Sequence, residues 1–246
     1  RRLRGLGVTR ITGRVVADEG YFDAARRVAD WRPGVLAYCG PLSALTLNEG
    51  CAANGGYVAD PALAAAGTLT RRLRAAGIRV GGAPAHGVVP AEASLVYTER
   101  SATLRQVLVR MNRPSDNYIA EELLKGLGAG FGARGSTAAG AGVAQRFLRS
   151  SGIDAGFRIR DGSGLSYENK LTARTVLKLL GACSRRPDFA VFRSSLAVAG
   201  VNGTLKHRMR GTAAAGNARA KTGTLNAASC LSGYVTTANG HTLTFA

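Results

Sequence analysis

The sequence has 246 residues, 46% of them apolar and 20% charged, which is enough chain to bury a core as one large or two small domains and excludes a disordered or collagen-like polypeptide. No run of about 18 apolar residues occurs, so no membrane-spanning helix is predicted. Thirty-three basic against 15 acidic residues give a formal charge of +18, a field that favours polyanions, but the charge is spread along the chain with no aromatic interleaving, so no nucleic-acid platform is predicted.

In chain order, residues 9–18 alternate as a strand, and 20–40 are irregular around Trp31, Pro33 and Gly34. Asp60 and Pro61 read as N-cap and first position of a helix that Gly77 stops. Residues 78–98 read as short strands broken by Gly and Pro. Ser101 is expected to cap a second helix with Leu104, Val107, Leu108 and Met111 on one face, ending before Pro114. Further helices are expected over 117–127, after a Ser136 cap to about 151, and after a Thr172 cap to about 184. Lys221 to Thr224 are extended, Leu231 to Thr237 form a strand, and Asn239-Gly240 signals a two-residue hairpin returning through 241–246. Helices followed by an antiparallel sheet predict α+β packing.

Four cysteines show no metal-ligand spacing, and the three histidines form no motif, so neither metal nor cofactor is expected. Cys39 and Cys51 bracket CGPLSALTLNEGC. They read either as two buried thiols or as a local disulfide of roughly 3 kcal/mol in an oxidising compartment.

Two tripeptides carry chemistry. Ser115-Asp116-Asn117 lies between two expected helices, and Lys221-Thr222-Gly223 opens an expected strand. Taken alone, Ser115 or Asp116 could simply cap the helix at Asn117, and Lys221 could be an ordinary strand lysine. Together and in this order they match the second and third signatures of penicillin-recognising serine acyl-transferases. The stretches MNRPSDNYIAEELLKGLG, RDGSGLSYENKLTARTVLKLL, SLAVAGVNGTLKHRM and RAKTGTLNAASCLSGYVTTANG extend this match. Residues 98–246 closely resemble D-alanyl-D-alanine carboxypeptidases of the penicillin-binding protein 4 type (peptidase family S13), and 5–97 resemble them more loosely.

The resemblance implies an α+β penicillin-binding, serine β-lactamase-like transpeptidase domain, here incomplete, with 1–97 as part of the family's inserted domain and 98–246 as the C-terminal part. It implies hydrolysis of the D-Ala-D-Ala bond of peptidoglycan stem peptides through an acyl-enzyme, with endopeptidase action open alongside it, and acylation by β-lactams. Ser115, Asn117 and Lys221 would be catalytic. Thr222, Gly223, Thr224, Asp161, Leu165, Tyr167 and Asp18 would contact substrate. Gly223 would let substrate approach the strand edge. Tyr167 stands where relatives carry Arg. The resemblance also implies a Cys39–Cys51 disulfide, an extracytoplasmic location and peripheral contact with the cell envelope.

No Ser in the sequence has Lys three residues on, so the nucleophile-bearing S-x-x-K is absent and the chain reads as a fragment. The absent motif favours an alternative, an inactive peptidoglycan-binding relative. A remoter alternative, resting on net charge, is a basic nucleic-acid-binding module.

Overall fold

The computed structural model describes residues 2–246, apart from the Leu36 side chain. Helix α1 spans Arg2–Gly5, and strands β1 (Arg10–Ile11) and β2 (Val16–Ala17) follow. The expected strand over 9–18 is thus two short pieces. Each finds its own parallel partner: β1 pairs with β3 (Arg79–Val80) and β2 with β4 (Ala85–His86). Helix α2, Pro61–Ala75, packs on them through Ala62, Ala66 and Leu73. Its start and stop follow the sequence: the Asp60 carboxylate accepts the Leu63 N–H, and Gly77 is left-handed at φ +80°.

Residues 87–103 form no further strand. Helix α3, Leu104–Asn112, is capped by Thr103 rather than Ser101. Thr103 Oγ1 accepts the Gln106 N–H while Gln106 reaches back to the Thr103 N–H, a reciprocal capping box that Ser101 cannot make. Helix α4 (Asn117–Phe131) continues a turn beyond expectation and packs against α5 (Thr137–Ser150). The crossing is so close that a Cβ on Gly140 would lie 1.9 Å from the Leu124 carbonyl oxygen. Strands β5 (Phe157–Arg158) and β6 (Lys170–Leu171) form a small ribbon, followed by α6 (Ala173–Ser184) and α7 (Phe189–Ser195).

The main sheet is antiparallel. Strands β7 (Ala197–Val198), β8 (Arg219–Leu225), β9 (Ala228–Thr236) and β10 (Thr242–Phe245) lie in the order β10-β9-β8-β7. Tyr234 is fully buried against Leu180, Leu196, Phe189 and Phe192, which fastens α6 and α7 to the sheet. The β9–β10 turn differs from expectation. Thr237 pairs with His241, the Gly240 N–H bonds to Thr237 O, and Gly240 is left-handed at φ +83°. The loop is therefore 238–240, a turn closed by a left-handed glycine rather than a two-residue turn.

Two buried clusters, around Ala17, Ala62 and Ala66 and around Leu73, Ile78 and Val80, lie wholly within the first 97 residues, and a third is shared with the rest of the chain. Val28, Trp31, Cys39 and Leu42 share a core with Tyr118 of α4 and Leu165, and the buried Lys125 of α4 binds Asp23 Oδ1 at 2.7 Å and the Ala25 carbonyl at 2.8 Å. Residues 23–42 thus pack on the helix that carries the first chemical motif.

Candidate active site

Helix α3 ends at Asn112: Arg113 still has helical angles (φ −67°, ψ −53°) and bonds to Val109 O, but Pro114 has no N–H with which to continue the ladder. The chain turns, with the Asp116 N–H bonding back to Met111 O at 2.8 Å, and restarts as α4. Asp116 is the N-cap: its Oδ1 accepts the Ile119 N–H at 2.8 Å. Ser115 is not a cap. It sits at φ +65°, a left-handed conformation that costs a side-chain-bearing residue about 1 kcal/mol or more. In that conformation its hydroxyl meets the ammonium of Lys221, Nζ to Oγ 2.5 Å, across 106 residues of sequence. Asn117 opens α4, and its Nδ2 donates to the Tyr38 carbonyl at 3.0 Å.

Lys221 is held from the other side by β8. Strand β7 pairs with β8 only at Arg219 and Ala220, and the Ala199 N–H reaches Ala218 O. Backbone groups of alternate residues point to the same edge of a strand, so those of Thr222 and Thr224 face the edge that β7 leaves open. The Thr222 carbonyl there accepts from Lys221 Nζ at 2.7 Å, and Thr224 is exposed. Burial holds the Lys221 ammonium below the usual lysine pKa, with Cys230 acting weakly the other way. Among the described residues no carboxylate forms an ion pair with it. The site therefore holds a part-buried cation, a hydroxyl bound to it, an amide and an open strand edge.

Thr204, which the sequence did not single out, ties the two halves together. Its N–H donates to the Arg113 carbonyl at 2.9 Å in the turn before Ser115, and its Oγ1 accepts from Thr222 Oγ1 at 2.9 Å. Gly203 permits this approach: a Cβ there would lie 2.4 Å from the Arg113 carbonyl oxygen.

Other expected site residues fall differently. Asp161 is 4% exposed and its oxygens are fully engaged. Oδ1 accepts Gly164 N–H (2.8 Å) and Asn169 Nδ2 (2.7 Å), while Oδ2 accepts Trp31 Nε1 (2.9 Å) and Ser166 N–H (2.6 Å). It holds the loop 161–166 and offers no free group to a substrate. Leu165, 9% exposed, belongs to the buried cluster with Tyr118, and Leu225 at the end of β8 packs against that cluster. The loop is thereby joined through the cluster to α4 and the end of β8. Tyr167 is half-buried on its rim, with the Arg32 guanidinium 4.0 Å from its ring centre. Gly223 lies opposite Cys230, and a Cβ there would come 3.0 Å from the Cys230 sulfur, so the glycine also serves cross-strand packing. Asp18 spends both oxygens on backbone, Gly20 N–H at 2.8 Å and Val89 N–H at 2.7 Å. These bonds, Val89 first, hold its carboxyl below the usual range. No hydrogen bond among the described residues joins it to the site.

The disulfide implied by resemblance is not formed. Cys39 and Cys51 are both free. Cys39 is buried in the core beside Val28, Leu42 and Tyr118, whereas Cys51 is exposed where its backbone bridges Tyr57. Burial, reinforced by the carboxyl groups of Glu121, Asp116, Glu122 and Glu49, pushes the Cys39 thiol far up and leaves it inert.

Structure also groups Glu19, Asp60 and His86, distant in sequence and not foreseen from it. His86 Nε2 lies 2.6 Å from Asp60 Oδ2, and Arg26 grips Glu19 through both terminal nitrogens while Ser43 Oγ donates to Glu19 at 2.6 Å. With an arginine occupying Glu19, the group is read as an ion-pair network that fastens β4 to the start of α2.

Residues 51–246 match the model of the D-Ala-D-Ala carboxypeptidase 3 (S13) family. The chain is 41% identical over 187 residues to a D-alanyl-D-alanine carboxypeptidase of Actinomadura sp. strain R39, covering 72% of this chain and 35% of that protein. It is 31% identical over 185 residues to the D-alanyl-D-alanine carboxypeptidase DacB of Haemophilus influenzae, covering 74% of this chain and 39% of that protein. It thus spans little more than a third of these relatives. Penicillin-binding protein 4 of H. influenzae superposes with a TM-score of 0.84 over 99% of this chain and 70% of that one, at 21% identity, a likeness of fold. A structure of that protein complexed with a β-lactam gives a TM-score of 0.69 at 29% identity over 77% of this chain and 44% of that one.

Proposed function

This chain belongs to the S13 family of D-Ala-D-Ala carboxypeptidases, and from that premise we propose that its cleft serves serine acyl transfer from the D-Ala-D-Ala end of peptidoglycan stem peptides. β-Lactams are the matching acylating inhibitors. The observation that carries this reading is the Lys221–Ser115 contact at an open strand edge.

Substrate adds along the β8 edge as a further strand, its backbone meeting Thr222 and Thr224. Its terminal carboxylate takes the positive charge of Lys221 and the hydroxyls of Thr222 and Thr224. The Thr224 N–H faces the same edge and is assigned as one donor to the oxyanion. A nucleophilic serine, which we assign to the family's S-x-x-K, attacks the penultimate carbonyl. Its proton passes through Ser115 Oγ to the nitrogen of the departing D-alanine as the C–N bond breaks; a hydroxyl can accept and donate in one step. Water then releases the acyl group. Asn117, fixed at the first turn of α4, steadies substrate backbone through its amide. We assign Tyr167, with the Arg32 guanidinium over its ring, to contact with a stem-peptide side chain.

We assign 98–246 to the transpeptidase domain and 1–97 to part of the family's inserted domain, and we place the protein outside the cytoplasm, at the cell envelope, where this substrate is. The test is labelling by a fluorescent penicillin of the protein carrying both this cleft and its S-x-x-K serine. Covalent, saturable labelling is expected, with loss in Ser115→Ala and Lys221→Ala; an unlabelled protein overturns the proposal.

A further inference from the structure

One side chain pins the loop 161–166 to α4. Glu121 is fully buried; its Oε1 accepts the N–H groups of Gly162 (3.0 Å) and Ser163 (2.8 Å), and its Oε2 is buried without a partner. Gly162 lies so close to the helix that a Cβ would come within 2.4 Å of the Ala120 carbonyl oxygen. Asn117 and Glu121 are four residues apart, so they share a helix face about one turn from each other. Two residues beyond Ser163, Leu165 lies in one buried cluster with Tyr118, and Leu225 packs against that cluster.

We propose that Glu121 is a positioning residue: by holding Gly162 and Ser163 on α4 it sets, through Leu165, the separation between the helix end bearing Ser115 and Asn117 and the strand bearing Lys221. The role rests on reading the cleft as an acyl-transfer site.

The groups around Glu121 are few. Asp161 faces it from the loop and Cys39 from the irregular segment before α2; Glu122 and Lys125 are its neighbours on α4, and Lys125 is itself bound to Asp23. Burial first, and the charge of Asp161 second, push the Glu121 carboxyl up to about 7, against the pull of the Ser163 and Gly162 hydrogen bonds. Bonds from the two amides are stronger to the carboxylate than to the neutral acid, so the loop is held more firmly above neutral pH than below it.

The experiment follows amide resonances of this chain in ¹⁵N-labelled form from pH 5 to 9. Gly162 and Ser163 should share an inflection near 7, with a smaller matching response at Leu225 and Lys221, all abolished in Glu121→Gln. No inflection at Gly162 and Ser163, or one confined to them, overturns the proposal. In the S-x-x-K-bearing protein, Glu121→Gln should slow penicillin acylation about tenfold and remove the step near pH 7 from its rate profile. An unchanged rate and profile would also overturn it. Failure of the wild-type protein to acylate would defeat the acyl-transfer reading alone, since the amide titration still decides the spacing role.

Discussion

Asp161→Asn separates a loop-holding carboxylate from a substrate ligand. The four donors on Asp161 divide evenly, Gly164 N–H and Asn169 Nδ2 on Oδ1, Trp31 Nε1 and Ser166 N–H on Oδ2. An asparagine keeps one carbonyl oxygen and replaces the other with an NH2 group. Whichever way the amide turns, two donors lose their acceptor and face another donor. Each such loss costs about 1–3 kcal/mol in a buried setting, so the substitution should destabilise the chain by about 2–6 kcal/mol. That is a large part of a typical total of about 5–15 kcal/mol. Urea unfolding read by fluorescence and far-UV circular dichroism measures it. Trp31 is the sole tryptophan, so emission reports on one of the affected bonds directly. A transition moved by less than about 0.5 kcal/mol would refute the reasoning and return Asp161 to the substrate-facing role.

Two further predictions concern backbone strain and thiol chemistry. Ser115→Gly and Ser115→Ala both remove the hydroxyl bound to Lys221, but at φ +65° only alanine retains a strained Cβ. The glycine variant should be the more stable of the two by about 1 kcal/mol, read from paired denaturation curves; equal stabilities would show that the left-handed conformation is not held in solution. Ellman's reagent should find four thiols in the unreduced, unfolded chain, and in the folded chain rapid reaction at exposed Cys51 and Cys230 with none at buried Cys39. Two thiols after unfolding would show one disulfide instead, and Cys39 and Cys51 as the unreactive pair would establish the bridge.

Sequence succeeded where the deciding interaction spans a few residues. Asp60, Ser136 and Thr172 each cap their helices by accepting an N–H three positions on, a contact complete before any tertiary structure exists. The misplaced start of α3 has the same local origin: Ser101 and Thr103 both suit a cap, and the reciprocal bond with Gln106 selects Thr103. Helix α7, which has no side-chain cap, escaped notice. The strands expected over 9–18 and 78–98 shrink to the two-residue pieces β1 to β4, whose parallel partners lie far along the chain.

At the site, the family resemblance carried by the two tripeptides marked Ser115, Asn117 and Lys221, where residue types alone left a helix cap and an ordinary strand lysine open. Composition likewise set the +18 charge and the absence of a long apolar span. Only packing decided the rest. Asp161, Leu165 and Cys39 are turned inward by the core they share with residues 28–42, while Thr204 and Glu121 gain their roles from partners that chain folding alone brings near. The physical reason is range: a cap or turn is fixed by bonds within a few residues, whereas burial and contacts across 106 residues depend on how the helices stack against the sheet.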